Sequence, residues 1–305
     1  ITMPAFVGTG ASVAASTLRS GDLRQLQHTL TKAAAMEEAP KNLRPAVGEA
    51  VSDQPASTRD GCHADYTQVE QDDCVYGDPN GQKTLALYGD SHAQQWLPAL
   101  DALGKKLHWK VVSWTKAACP IADVPVYNDT LGREFTECEQ WRTLTAERVE
   151  NLNPDKVIVS QSDAVIGDQV SDVDWADGTA QAVARLRAAG LDVEYLSDTP
   201  PLPYGAGPEC VATHLDDVSA CAVPVKDTEV FKNRRARLDD ALHQVGIPVV
   251  DTQDLICGSE VCPMIVENML VYRDIGHITA TYSEWLSPLL EFLFRPTAQA
   301  PSDSP

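Results

Sequence analysis

The stretch Leu85-Ala86-Leu87-Tyr88-Gly89-Asp90-Ser91-His92 decides how this chain is read. Its opening apolar run has no polar alternation, which is the pattern of a strand buried on both faces inside a parallel sheet. The run breaks at Gly89 and delivers Asp90, Ser91 and His92 to the point where a helix begins. The carboxyl ends of strands are where open α/β sheets bind their ligands. A serine hydroxyl there is a poor nucleophile unless an imidazole removes its proton and a carboxylate holds that imidazole in the right tautomer. Asp274-Ile275-Gly276-His277, near the other end of the chain, supplies both groups. Three residues apart, they can share one side of a turn, with Asp274 accepting from Nδ1 while Nε2 faces Ser91. The backbone N–H of Ser91 would then point at a developing oxyanion.

Working outward, strand and helix patterns alternate. Strands are predicted at 83–88, 109–114, 156–160, 192–196 and 247–250, and helices at about 91–107, 137–152, 175–189, 230–245 and 280–294. This alternation predicts a three-layer α/β/α sandwich around a mostly parallel central sheet. Leu18, Leu23, Leu26 and Leu30 recur at near-helical spacing, so 16–38 is read as an amphipathic helix packing on the main domain, followed by an extended connector over 40–61. The expected organisation is a helix and connector in 1–60, the main domain in 61–295 and a disordered Pro/Ser/Ala tail in 296–305. No internal repeat and no Gly-rich phosphate loop is present.

The formal charge of −20 argues against a nucleic-acid partner and against adsorption to anionic lipid, and it favours a neutral substrate over a polyanionic one. No window is apolar for long enough to span a bilayer, and residues 1–16 lack the positive region and cleavage pattern of a signal peptide. The eight cysteines fall into near-neighbour sets: Cys62 and Cys74, Cys119 and Cys138, Cys210 and Cys221, Cys257 and Cys262. An even count at local spacing suggests four disulfides, with about 105 connectivities open to eight cysteines. Disulfides imply an oxidising compartment. The chain has no C-x-x-C pair, and Cys257-x4-Cys262 has no histidine nearby, so zinc is not expected; neither metal nor cofactor is called for.

Gly89-Asp90-Ser91-His92 together with Asp274-x-x-His277 resembles the SGNH hydrolase superfamily, whose first block is G-D-S and whose last is D-x-x-H. The histidine after the serine narrows the likeness to the extracytoplasmic SGNH domain fused to acyltransferase family 3 membrane proteins, which O-acylate cell-envelope sugars. Thr115-Lys116-Ala117-Ala118-Cys119-Pro120 is similar to that branch's second conserved region, and Leu196-Ser197-Asp198-Thr199-Pro200 to its strand ending in D-x-P. The likeness runs from about residue 44 to 294. It implies an SGNH/flavodoxin-like fold, with Ser91 as nucleophile, His277 as base and Asp274 as its orienting carboxylate. It further implies an O-acyltransferase, acetyl being the expected group. The acceptor would be a hydroxyl of an envelope glycan or glycolipid, and the donor would come from an N-terminal acyltransferase family 3 membrane domain preceding Ile1. The domain would work on the periplasmic or cell-surface face. The same three residues with water as acceptor give a carbohydrate or lipid esterase. Superfamily enzymes complete the oxyanion hole with a block-two glycine and a block-three asparagine, whereas this chain has Lys116-Ala117-Ala118 and Ser160-Gln161-Ser162-Asp163. Ala117 occupies the block-two region, and Gln161 and Ser162 are the replacement donors available. A non-catalytic glycan-binding domain with an eroded oxyanion hole is the competing class.

Other residues carry narrower expectations. Asp90 is expected to support the turn by accepting backbone N–H groups, and His92 to line the pocket or bond structurally. Trp114, at a strand end, is the tryptophan positioned to stack on a sugar; Trp96, Trp141 and Trp285 are read as packing. Arg234, Arg235 and Arg237 read as a solvated helix face, and His214 and Asp216 lie in a cysteine-bearing excursion over 205–225. Asn128-Asp129-Thr130 matches a glycosylation acceptor.

Overall fold

The central sheet of the computed structural model, which describes residues 20–164 and 170–297, is built from seven strands. They are β1 (His63–Ala64), β2 (Cys74–Gly77), β3 (Lys83–Gly89), β4 (Trp109–Lys116), β5 (Lys156–Ser160), β6 (Val193–Leu196) and β7 (Val249–Val250). Their order is β1-β4-β3-β5-β6-β7, all parallel, with β2 antiparallel along the opening half of β4. β3 sits between β4 and β5, with Gly89 opposite both Thr115 and Ser160. The chain therefore leaves β3 for one side and later returns on the other, which opens a crevice at the strand ends around Ser91.

Side chains alternate across the pleat. Leu85 and Leu87 enter one core, where they join Leu26 and Leu30 of helix α1 (Ser20–Ala34) and Leu255. α2 (Ser91–Gln94) and α3 (Leu97–Leu107) lie on the same side, contributing Ala93, Leu97, Leu100 and Leu103. Ala86 and Tyr88 face the other core, formed with Trp141 and Val149 of α4 (Thr136–Leu152), Trp175, Val183 and Leu186 of α5 (Asp172–Ala188), and Leu238 and Leu242 of α6 (Lys232–Gln244). The sandwich is thus three-layered. α1 is fastened further by Gln27, whose Nε2 donates to the carbonyls of Asp254 and Cys257 at 2.8 and 3.0 Å.

Three expectations change. The segment 40–61 is not an extended connector: it folds into a 3-10 turn (Val47–Ser52) and a helical turn (Ala56–Arg59), the latter entered from Pro55, whose restricted φ suits a helix start. The carbonyl and carboxylate of Asp53 accept the N–H groups of Ala280 and Thr281 at 3.0 Å each, so this segment ties down the helix after His277. The last helix stops at Trp285 and continues as a 3-10 helix (Ser287–Phe294), because Pro288 interrupts the hydrogen-bond ladder. The tail is ordered through Thr297, whose N–H donates to Asp192 Oδ2 at 2.8 Å and whose hydroxyl accepts from Lys156 Nζ at 2.6 Å. Residues 1–19, with the start of the predicted first helix, and 298–305 lie outside the described residues.

Disulfides join Cys62 to Cys74, Cys119 to Cys138, Cys210 to Cys221 and Cys257 to Cys262. Among the described residues no helix is long and apolar enough to cross a membrane. Asn128 is buried, and its Oδ1 accepts the Leu131 N–H at 3.0 Å, which leaves the glycosylation match without an accessible acceptor.

Candidate active site

At the end of β3 the backbone comes so close to β5 that a Cβ on Gly89 would lie 1.9 Å from the Ser160 carbonyl oxygen, and only glycine fits. Asp90 then caps α2. Its Oδ1 accepts the His92 N–H and its Oδ2 the Ser162 N–H, both at 2.8 Å, binding the ends of β3 and β5 together. The carboxyl is fully buried, and burial above all lifts its pKa to about 6. Asp90 thus supports the turn and lies beneath the site.

Ser91, the first residue of α2, is brought within bonding range of the distant C-terminal loop: its Oγ lies 2.9 Å from His277 Nε2. His277 Nδ1 lies 3.0 Å from Asp274 Oδ2 and 3.1 Å from Oδ1. A carboxylate can only accept, so Nδ1 carries the proton and Nε2 is left to accept the serine hydroxyl. The loop is held in shape by Asp274 Oδ1, which also accepts the N–H groups of Gly276 and His277 at 2.8 and 2.7 Å. It is clamped to α2 by Gln95, whose Oε1 accepts the Ile278 N–H at 2.9 Å. Arg273, nearly buried, places Nη1 3.3 Å from Asp274 Oδ2.

The charges are tuned by these surroundings. Burial, then the charge of His92, lowers the His277 pKa to about 4, against the pull of Asp274. Burial alone would raise the Asp274 carboxyl, yet the hydrogen bond and charge of His277, the Gly276 N–H and Arg273 hold it well below the usual carboxylate range. His92 shows the reverse balance: burial opposes its charge, but Asp198, with Asp90 and Asp274 beyond it, raises its pKa to about 9.

His92 belongs to a second chain of buried groups. Its Nδ1 bonds to Asp198 Oδ1; Asp198 Oδ2 accepts the Asp163 N–H at 2.9 Å; and Asp163 Oδ2 accepts from Arg235 Nε at 2.6 Å. Arg235 Nη2 also donates to the Thr199 carbonyl at 3.0 Å, and Thr199 Oγ1 to that of Gly276 at 2.8 Å. The arginines of α6 are therefore not a simple solvated face. Arg235 turns inward because the buried Asp163 needs a cation, Arg234 lies 2.9 Å from Oδ1 of the partly exposed Asp172, and Arg237 stays exposed as expected. A third histidine, His63 of β1, bonds through Nδ1 to Thr115 Oγ1 at 2.9 Å, and burial followed by the charge of His277 lowers its pKa to about 3.

The side chains expected to complete the oxyanion hole are engaged elsewhere. Gln161 is fully buried: its Oε1 accepts the N–H groups of Ile121 and Ala122 at 2.8 and 3.2 Å, and its Nε2 donates to Thr179 at 2.8 Å. Ser162 gives its N–H to Asp90, and its hydroxyl accepts from Ala164 at 3.2 Å. The Ala117 N–H donates to the Ala64 carbonyl at 2.9 Å. Trp114 is buried in the core and cannot meet a sugar. Gln161, Ser162 and Trp114 are buried where the sheet is covered on both faces, and Ala117 is half-buried. Ala118 is different: its φ is +50°, in the left-handed region favoured by glycine, within a turn closed by the Cys119 N–H on the Lys116 carbonyl. The N–H groups of Ser91 and Ala118 have no acceptor among the described residues.

The sequence reading gives Asp198, Asp163 and Ala118 no role beyond membership of a quoted motif, and it omits His63 and Arg273. Asp163 and Asp198 lie three and two residues beyond the ends of β5 and β6, which is the one signal that could have marked them. The arrangement as a whole can move a proton from the Ser91 hydroxyl to His277 while Asp274 stabilises the resulting imidazolium.

Residues 61–292 match the profile of a family described as the SGNH domain (fused to AT3 domains). Among solved structures, the periplasmic domain of a lipopolysaccharide acetyltransferase from Salmonella ser. Paratyphi A aligns with a TM-score of 0.57 at 15% identity, covering 92% of this chain and 96% of that one. That likeness shows a shared fold. A protein from Slackia heliotrinireducens, named as an SGNH hydrolase, aligns with a TM-score of 0.41 at 14% identity, covering 71% of this chain and all of the other. No curated protein matches.

Proposed function

This chain belongs to the family of SGNH domains fused to AT3 domains, and from that premise we propose that it transfers an acyl group, acetyl first among candidates, to a hydroxyl of a cell-envelope glycan or glycolipid. The observation that carries the reading is the unbroken relay from Ser91 Oγ through His277 to Asp274, at 2.9 and 3.0 Å. Ser91 attacks the donor's acyl carbon while His277 Nε2 takes its proton, and the N–H groups of Ser91 and Ala118 face the oxyanion. His277 returns the proton to the leaving group. An acceptor hydroxyl, deprotonated by the same nitrogen, then attacks the acyl-serine, and the bond to Ser91 Oγ breaks as His277 Nε2 returns that proton to it, regenerating the free enzyme.

The donor reaches Ser91 from an N-terminal acyltransferase family 3 membrane domain of the same polypeptide, on the extracytoplasmic side. The disulfides support such a compartment, and the acetyltransferase named in the Salmonella structure supports acetyl. The net charge of −20 supports a neutral acceptor. Hydrolysis is the second reading, favoured by the partial exposure of the His277 side chain at 19%, which admits water.

A fluorophosphonate probe tests the nucleophile: labelling of the wild type that disappears in Ser91→Ala is expected, and a wild type that never labels or turns over would leave glycan binding as the remaining function. Acyl donor supplied with and without sugar acceptor separates the two enzymatic readings. Transfer predicts that acceptor diverts the acyl group from water, and release to water that ignores acceptor overturns it. His277 must be neutral to act as base, so kcat/KM for a neutral ester should hold through neutral pH and fall as pH drops through about 4.

A further inference from the structure

The relay leaves one buried ionisable group beside it unexplained. We propose that His92, fixed as an imidazolium by Asp198, is the positioning residue that keeps the His277 ring neutral and ready to accept the Ser91 proton. This rests on reading Ser91, His277 and Asp274 as the acyl-transfer relay.

The geometry is direct. The His92 and His277 rings face each other with centroids 4.3 Å apart. No side chain separates His92 from the loop bearing His277, for a Cβ on Gly276 would lie 3.5 Å from His92 Cε1 and 3.7 Å from Nε2. The protonation of His92 follows from the buried charges behind it. Asp163 and Asp198 are both buried, and the cation among them is Arg235, whose Nε is committed to Asp163 at 2.6 Å while its Nη2 stands 4.0 Å from Asp198. A buried carboxylate without a close cation is costly, and the group bonded to Asp198 is His92. The second network thus holds a positive charge against the back of the relay.

The groups facing His277 come from three elements. Asp274 and Arg273 belong to its own loop, His92 comes from α2, and His63 from β1. Asp274 favours the imidazolium while Arg273 and His92 oppose it; His63 is itself held neutral by burial. His92 therefore adds to burial, the larger effect, in favouring a neutral His277, the form that can take a proton from Ser91. The cost is a weaker base; the return is a stronger acid when the same ring protonates the leaving group.

The test is an NMR titration of imidazole resonances in the wild type and in His92→Gln and Asp198→Asn, beside the pH profile of p-nitrophenyl acetate turnover. In the wild type the His92 ring should stay protonated through pH 8 and the His277 ring should titrate near 4. In both variants the His277 titration and the acid limb of kcat/KM should move up together by about one pH unit or more. A wild-type His92 that titrates near 6.5, the ordinary histidine value, overturns the proposal whether or not the variants fold. So does a His277 titration unmoved by His92→Gln. Absence of turnover by the wild type would instead count against the acyl-transfer reading, while the titrations would still decide the role of His92.

Discussion

Gln161 shows how a polar residue at a strand end can serve packing instead of chemistry. Its carboxamide oxygen accepts the Ile121 and Ala122 N–H groups, its Nε2 donates to Thr179, and the whole side chain is buried away from solvent. Gln161→Ala should strand both buried N–H groups and cost about 3 kcal/mol in urea unfolding, with little change in kcat for the fraction that stays folded. A selective loss of kcat without loss of stability would return it to the oxyanion hole. Ala118 carries the complementary prediction. An alanine held at φ +50° is strained, so Ala118→Gly should raise stability by about 0.5–1 kcal/mol, measured by thermal unfolding, with the site intact. At this scale the meeting of Ser91, His277 and Asp274 was legible, because a hydroxyl, an imidazole and a carboxylate are side-chain types with distinctive neighbours. The free N–H of Ala118 was not, since a backbone N–H has no letter of its own, and Gln161 reads alike whether it points inward or outward.

Among elements, legibility followed length and burial. β3, β4 and β5 are strands of five to eight residues that carry the apolar runs Leu85–Tyr88, Val111–Val112 and Val157–Val159, enough for the pattern to declare a strand. β1 has two residues and owes its existence to β4, against which His63 and Ala64 pair, so no local pattern announces it. The same dependence on tertiary partners explains α6. Three arginines within four positions look like a surface stripe, yet Arg235 meets the buried carboxylates that follow β5 and β6 while Arg237 stays exposed. Arg235→Ala should leave Asp163 buried without its cation and cost about 3 kcal/mol at neutral pH. Asp163 already sits above the usual carboxylate range, through burial first, and losing Arg235 raises it further. Protonation then relieves the unpaired charge, so the penalty should shrink as pH falls towards about 6 and level off below it. A penalty constant from pH 8 to 5 in chemical denaturation would show that Arg235 acts by packing alone.

For the whole molecule, the balance between covalent and non-covalent stabilisation decides where it can work. The disulfides span separations of 12, 19, 11 and 5 residues. In the chain-entropy view each contributes about 2–3 kcal/mol, close to 10 kcal/mol together, by restricting the unfolded chain. That sum is comparable to the entire stability of an ordinary domain, about 5–15 kcal/mol, and self-repulsion at a net charge of −20 draws on the same reserve. The crosslinks are also placed to matter for the site: Cys119 follows the Ala118 turn and ties it to Cys138 on α4, while Cys62 precedes β1 and joins it to β2. Protein unfolded and reduced should therefore fail to regain its native circular dichroism while thiols are kept reduced, and recover both fold and ester turnover on reoxidation. The Cys119→Ser/Cys138→Ser pair, removing the longest loop, should cost about 3 kcal/mol, against about 2 for Cys257→Ser/Cys262→Ser. Recovery under reducing conditions would show that the core alone suffices, and the tie between this fold and an oxidising compartment would fail.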